Sequence, residues 1–405
     1  MVNEKTQIVE SDSKKNKLSS VQLLVIIVAC VAIFPPGYLQ YQLSPIATDV
    51  MNQMNLTQGQ FDAVFTSTMI PAVCASMLLG IVADKIGIKK VATAGLILTV
   101  AGSIWRVFAT DFVSLYISMF ITGFGSTSLN ANSPKLIHMW FPKEKVRLMM
   151  GIYTSVSTLG LALAIATTAL FPTVKTAFMF AAVLCVVSAL SWIFLMPKDI
   201  QQTNVEIIPI KESMFAVVKN KTVWLSGISL MLTMCNMTIN SQSIPTALAG
   251  RNISPEMAGL YGGLPLIGGL VGCLVIPYID SKLKKTTPMM IVLCGITALC
   301  SAFGWRSPEG LPLGFFLFLS GFSNSAVSTI LLSLPVLDPA IGSKYAGTAG
   351  GLCSALQMSG GAVVATYLVM PFFDDYSHLF IASGLLFVVA AILIILTPKH
   401  EPQDL

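Results

Sequence analysis

Charge-poor runs of about twenty or more apolar residues recur along the chain, parted by short segments where Lys, Asp, Glu, Pro and Gly gather. An α-helix needs about 20 such residues to cross the hydrocarbon core of a bilayer. The pattern predicts spans at about 21–42, 57–82, 91–108, 111–137, 147–170 and 175–196, then at about 222–248, 256–280, 287–304, 311–337, 344–369 and 376–397. This is an all-α membrane protein of twelve transmembrane helices. Tails fall at 1–20 and 398–405, an N-terminal six-helix bundle at 21–196 and a C-terminal one at 222–397. Between the bundles, 197–221 reads as a charged cytoplasmic loop with an amphipathic segment. The run from Val21 is too long for a signal-peptide core and leads into Pro35-Pro36-Gly37, so the first span is expected to stay as an anchor.

Composition agrees. Only 11% of the 405 residues are charged, against 54% hydrophobic, and the mean hydropathy is +0.77. A water-soluble surface needs about 25% charge. With both termini inside, 20 of the 24 Lys and Arg fall on the cytoplasmic side; Arg106, Lys175, Arg251 and Arg306 remain outside. This split predicts cytoplasmic termini in a plasma or bacterial inner membrane. It also accounts for the net charge of +5 without nucleic acid. The eight cysteines sit inside apolar runs with no C-x-x-C spacing and read as packing residues.

An offset near 200 residues brings the halves into register. Trp105-Arg106 recurs as Trp305-Arg306, Gly123-Phe124 as Gly321-Phe322, and Asp84 with Lys89-Lys90 as Asp280 with Lys284-Lys285. Gln40, Gln42 and Pro45 map onto Asn240, Gln242 and Pro245; Gly151 and Gly160 map onto Gly351 and Gly360. Thr57 to Gln60 forms a capping box at the start of span 2, and Ser254-Pro255-Glu256 starts span 8 in a similar way. Two pseudo-symmetric six-helix bundles follow, the build of a transporter that rocks one half against the other around a midplane site.

The loop from Gly80 through Asp84, Lys85 and Gly87 to Lys89 and Lys90 resembles the G-x-x-x-D-[RK]-x-G-x-[RK]-[RK] signature of the major facilitator superfamily. An acid closes span 2, a glycine permits the turn, and the basic cluster stays by the anionic membrane face. The resemblance covers about 21–397. It implies the major facilitator fold, and that Asp84 docks on the other bundle when the inner side is closed, as a conformational latch. The second copy has Leu283 near the place of the glycine, so its latch role is expected to be weaker. Within the superfamily, Asn132 to Ile137, Trp140 to Pro142 and Leu148 to Tyr153 are similar to the nitrate, nitrite and cyanate branch, which Arg106 also suits. Spans 2 and 8 carry no internal arginine, however, and Gly160 and Gly360 lack the branch's following asparagine, which sets this chain apart from the nitrate porters.

Ionisable groups inside a membrane are functional candidates by default, because a charge there is costly. Arg106, Arg306 and Lys135 are candidates for anion attraction, against anchoring for the arginines and snorkelling for the lysine. Asp62 is the candidate for proton coupling, against simple placement in a first helical turn. The candidate substrate-binding groups are neutral: Tyr38, Gln40, Gln42, Asn130, Asn132, Tyr153, Asn236, Asn240, Gln242, Asn324 and Gln357. Each alone is as readily an interhelical hydrogen bond, but the symmetric concentration of amides on spans 1, 4, 7 and 10 favours a cavity. No phosphate-binding loop is present, and His138, His378 and His400 lack metal-ligand spacing, so no enzyme, metal or cofactor is expected.

The expected function is secondary active transport of a small anion or small polar organic solute by alternating access, with a co-transported or exchanged ion left open as a partner. Beyond solute and lipid bilayer, no protein partner is evident. One alternative is a proton-driven exporter, although span 5 carries no proline of the drug-antiporter kind between Gly151 and Leu170. Another, of a different class, is a membrane sensor that no longer transports.

Overall fold

The computed structural model describes residues 18–168, 170–198, 210–283, 285–342, 344–373 and 375–397. It contains twelve helices long and apolar enough to span a membrane, labelled here α1 (Ser20–Tyr41), α2 (Gly59–Ile86), α3 (Ile88–Val107), α4 (Phe112–Trp140), α5 (Lys143–Thr168), α6 (Val174–Leu195), α7 (Lys221–Ile244), α8 (Met257–Leu283), α9 (Thr286–Arg306), α10 (Leu311–Leu337), α11 (Ala346–Phe372) and α12 (Tyr376–Leu396). Reciprocal capping boxes start three of them, at Ser19 with Gln22, Thr57 with Gln60 and Thr173 with Thr176. These satisfy backbone N–H groups that would otherwise be orphaned at the helix start. Between α6 and α7, Ile210–Lys219 forms a short amphipathic helix.

Packing follows the repeat. In the first six helices α1 lies on α5 and α6, α3 on α4 and α6, and α2 on α4; adding six to every label gives the pairs of the second group. Between bundles, α11 lies on α2 and α4 while α5 lies on α8 and α10, again a symmetric set. The matched glycines explain the register. Gly123 abuts the carbonyl of Thr68 and Gly321 that of Pro265; Gly160 abuts the carbonyl of Phe34 and Gly360 that of Met231. A Cβ at any of the four would strike backbone, so each glycine permits one close helix crossing and its partner the equivalent one.

One match is reversed. Arg106 is 1% exposed and Trp105 is exposed, whereas Trp305 is buried and Arg306 exposed. The cause is local: α9 ends in a 3₁₀ turn, Gly304–Arg306, and the tighter winding turns the pair round.

Three departures from regular helix matter for the site. α2 is interrupted by a turn at Thr68 and Met69, where Pro71 cannot donate to the carbonyl of Ser67. α1 carries Pro35 and Pro36 within a continuous helix. α11 changes from α to π winding over Gly360–Val369. Irregular backbone at membrane depth is tolerated where protein or a wet cavity surrounds it.

Candidate functional site

A cavity of about 210 Å³ lies midway along the helices, with walls from both bundles. Its lining repeats one helical pattern. Pro36, Gly37, Gln40 and Tyr41 of α1, Tyr153, Thr154, Ser157 and Thr158 of α5, and Asn324, Ser325, Ser328 and Thr329 of α10 each fall at i, i+1, i+4 and i+5, which is a single helix face. Thr68 of α2, Thr122, Ser126, Thr127 and Asn130 of α4, Thr233 of α7, and Ser354 and Gln357 of α11 add to the polar wall, beside Met69, Met234, Met237 and Met358.

The expected binding residues divide accordingly. Gln40, Asn130, Tyr153, Asn324 and Gln357 line this cavity, and Asn240 lines a small cleft next to it. Gln40 donates to the carbonyl of Phe65 at 3.1 Å, and the Tyr153 hydroxyl lies 3.4 Å from Asn130 Oδ1. The other five lie elsewhere. Tyr38 is buried with its hydroxyl 2.7 Å from Thr167 Oγ1, because its ring packs between Phe34 and Phe180. Asn132 donates to the carbonyl of Ser128 in its own helix at 2.9 Å. Gln42 donates to the carbonyl of Ala177 at 2.7 Å and accepts from Arg106. Gln242 is on the exposed face of α7. Asn236 is fully buried behind the cavity, where its amide donates to Ser383 Oγ at 2.7 Å and Ser301 Oγ at 3.1 Å, and its Oδ1 accepts from Asn240 at 3.0 Å and Asn324 at 3.3 Å. It joins α9, α10 and α12 to α7 and so orients Asn324, which does face the cavity.

The cations are corrected too. Arg106 is not at the outer interface but inside the first bundle: Nη1 donates to the carbonyl of Leu39 at 2.7 Å, Nη2 to Gln42, and the guanidinium lies 3.9 Å from the centre of the Phe178 ring. Leu39 is in the last turn of α1, so the charge meets the negative helix end. In the second bundle Arg251 supplies the equivalent tie, donating to the carbonyls of Trp305 and Ser307. Arg306 is exposed and donates to Ser377 Oγ at 2.5 Å. Lys135 is paired with Asp84 at 2.6 Å and does not reach the cavity. The side chain of Asp62 lies outside the described residues.

Two seams close one end of the cavity, the end bearing the loop signature. At the first, Asp84 accepts from the N–H groups of Gly347 at 3.2 Å and Thr348 at 3.0 Å and from Thr348 Oγ1 at 2.7 Å. An acid of one bundle thus caps the first turn of α11 in the other, where the helix dipole favours negative charge. Gly80 brings α2 against the backbone of Gly347, and Gly351 against that of Ser76. Gly87 has φ +97°, a conformation only glycine adopts freely, and it makes the turn into α3. Lys89 donates to the carbonyl of Met196 at 2.5 Å, tying α3 to the end of α6, while Lys85 and Lys90 are exposed.

At the second seam Arg147 of α5 donates to Asp280 of α8 at 2.6 Å and to Thr286 at 2.6 Å, and Gly151 abuts the carbonyl of Cys273. Asp280 is fully buried. Without the turn glycine, this second copy makes its contact by an ion pair instead of a helix cap, with Asp280 Oδ1 and Arg147 Nε buried and without a partner. Further from that end, Thr154 and Thr329 meet across the bundles at 3.0 Å, and Ser155 donates to the carbonyl of Leu270 at 3.2 Å.

Sequence reasoning picks out Thr154 beside Tyr153 but misses Tyr41 and the other cavity serines and threonines, because it weighs amides above hydroxyls. Their i, i+1, i+4, i+5 spacing was the available signal.

Comparison with known proteins agrees with this geometry. The chain is 23% identical over 404 residues to a hexuronate transporter of Bacillus subtilis (strain 168), covering 90% of this chain and 92% of that one. It is 25% identical over 413 residues to a probable sulfoacetate transporter of Cupriavidus necator, covering 91% and 92%. Its fold matches the crystal structure of the Escherichia coli fucose:proton symporter with a TM-score of 0.77, at 12% identity over 93% of this chain and 99% of that one. The profile of the Major Facilitator Superfamily matches residues 26–365. Twelve spans in two repeats, a shared midplane cavity and this match over most of the chain lead to one conclusion: the protein belongs to the Major Facilitator Superfamily.

Proposed function

We propose that this secondary transporter moves a small polar organic solute or small anion by alternating access, with residues 21–196 and 222–397 as the two rocking units. The observation that carries the reading is one cavity of mixed polar and apolar lining, walled by both bundles and shut at one end by two seams made between them. Opening those seams while closing the opposite end would expose the same wall to the other side. The excess of Lys and Arg supports a cytoplasmic seam end, with both termini on that side of a bacterial inner or plasma membrane.

The named activities of the two relatives, hexuronate and sulfoacetate transport, support a small polar organic solute. Neither is a nitrate, nitrite or cyanate porter, and the segment that resembles that branch supplies buried packing: Pro134 lies near Gly350 and Lys135 neutralises Asp84. We assign that segment to the seam, not to a nitrate site. Proton coupling through Asp62 belongs to the exporter alternative.

The test is uptake and counterflow in proteoliposomes holding the purified full chain, under imposed proton, sodium and solute gradients. Saturable counterflow of any small polar solute is the expected result. Absence of flux for every solute, with ligand binding intact, would favour the non-transporting sensor.

A further inference from the structure

The hydroxyls of the cavity wall are not equivalent to free donors. A Ser or Thr hydroxyl has one proton and two lone pairs. Ser126 and Thr127 donate theirs to the carbonyl of Gly123, Thr154 to that of Met150, Thr158 to that of Thr154, and Ser328 and Thr329 to those of Asn324 and Ser325. With these protons engaged along their own helices, the groups turn lone pairs toward the cavity. Unengaged donors are also present: the amides of Asn130 and Gln357 and the hydroxyls of Tyr41 and Ser157 line the cavity and donate to no protein group, and Ser354 Oγ is buried without a partner. Among the described residues, no Lys, Arg or His lines the cavity, and no Asp or Glu does. The three cations once expected to draw an anion are held elsewhere, by the end of α1, by Asp84 and by Ser377.

A solute anion entering this wall would lose its hydration and find neutral donors but no opposite charge to offset the loss. A cation would find acceptors but no carboxylate. A molecule bearing many hydroxyls fits both needs, since each hydroxyl donates to a lone pair and can accept from Asn130 or Gln357. The methionines at 69, 234, 237 and 358 offer adaptable apolar contact to its C–H faces.

Resting on the transport reading above, we propose that the cavity selects an uncharged, hydroxyl-rich solute of the sugar or polyol class. The test is a matched series in proteoliposomes of the unaltered chain: glucose and myo-inositol as neutral members, glucuronate and gluconate as anions, glucosamine as cation. Uptake or counterflow of a neutral member at least tenfold more efficient than that of every charged one is the expected result. Preference for glucuronate, gluconate or glucosamine would overturn the proposal while leaving a transporter. Flux of none of the five would also overturn it; the transport reading itself fails only if a broad panel of polar metabolites is equally silent.

Discussion

At the residue scale the most informative side chain is Arg106, because its sequence position and its surroundings point to different roles. Placed at the outer end of a predicted span, it reads as an interfacial cation. In the fold it is enclosed by α1, α4 and α6, meeting Leu39, Met119 and Phe178. Charge-assisted hydrogen bonds of this kind contribute about 1.5–3 kcal/mol each. Arg106→Ala is expected to lower the melting temperature markedly, while protein that still folds keeps its KM. A raised KM at unchanged stability would restore the anion-capture role. Asn236 makes a complementary case: it touches no solute, yet it orients Asn324. Asn236→Ala is expected to raise KM severalfold together with a loss of stability, whereas Asn324→Ala raises KM at little cost in melting temperature. Equal stability losses for the two would contradict that division. Gln40, Asn130, Asn324 and Gln357, which line the cavity, were legible because amides are costly in lipid and stand out in an apolar span. Gln42 and Asn132 misled for the same reason, since that cost is met equally well by a neighbouring helix or by a carbonyl of the same one.

At the element scale the two seams hold the bundles by different means. One uses a helix cap with a glycine contact and a lysine pair; the other uses an arginine pair with a glycine contact. Removing one partner of a buried pair costs about 3–5 kcal/mol, which corresponds to a shift of about a hundredfold or more in a two-state ratio. Asp84→Asn and Asp280→Asn are each expected to open the seam end. The check is labelling of a cysteine placed at Ser76, buried in the first seam, by a membrane-impermeant maleimide from the side of the termini. Labelling at least tenfold faster in each variant supports the latch; no change in Asp280→Asn would return the second copy to a minor role. Gly80→Ala should act as Asp84→Asn does, since the added methyl meets the backbone of Gly347. The second latch was harder to see in sequence because Leu283 hides the signature, and because Arg147 belongs to a helix start more than a hundred residues earlier in the chain.

At the scale of the molecule, span number and repeat were readable because hydrophobic length and glycine spacing are local properties with one physical cause each. Gly123 and Gly321 matched in sequence and share a contact in space, whereas Trp105-Arg106 and Trp305-Arg306 matched as well and do not, since a 3₁₀ turn is not written in the residue types of the pair. Where the cavity walls lie depends on helix rotation, which the face pattern of α1, α5 and α10 determines only once their neighbours are known. The central claim is that solute passes only when the bundles separate at the seam end. The hydroxyls of Thr154 and Thr329 approach within 3.0 Å across the bundles, which makes this pair the place for a cysteine cross-link between them. The decisive measurement is counterflow by Thr154→Cys/Thr329→Cys in a background without the eight native cysteines, before and after oxidation. The account predicts transport in the reduced protein, loss on oxidation and recovery with reductant; undiminished transport by the fully cross-linked protein would contradict it.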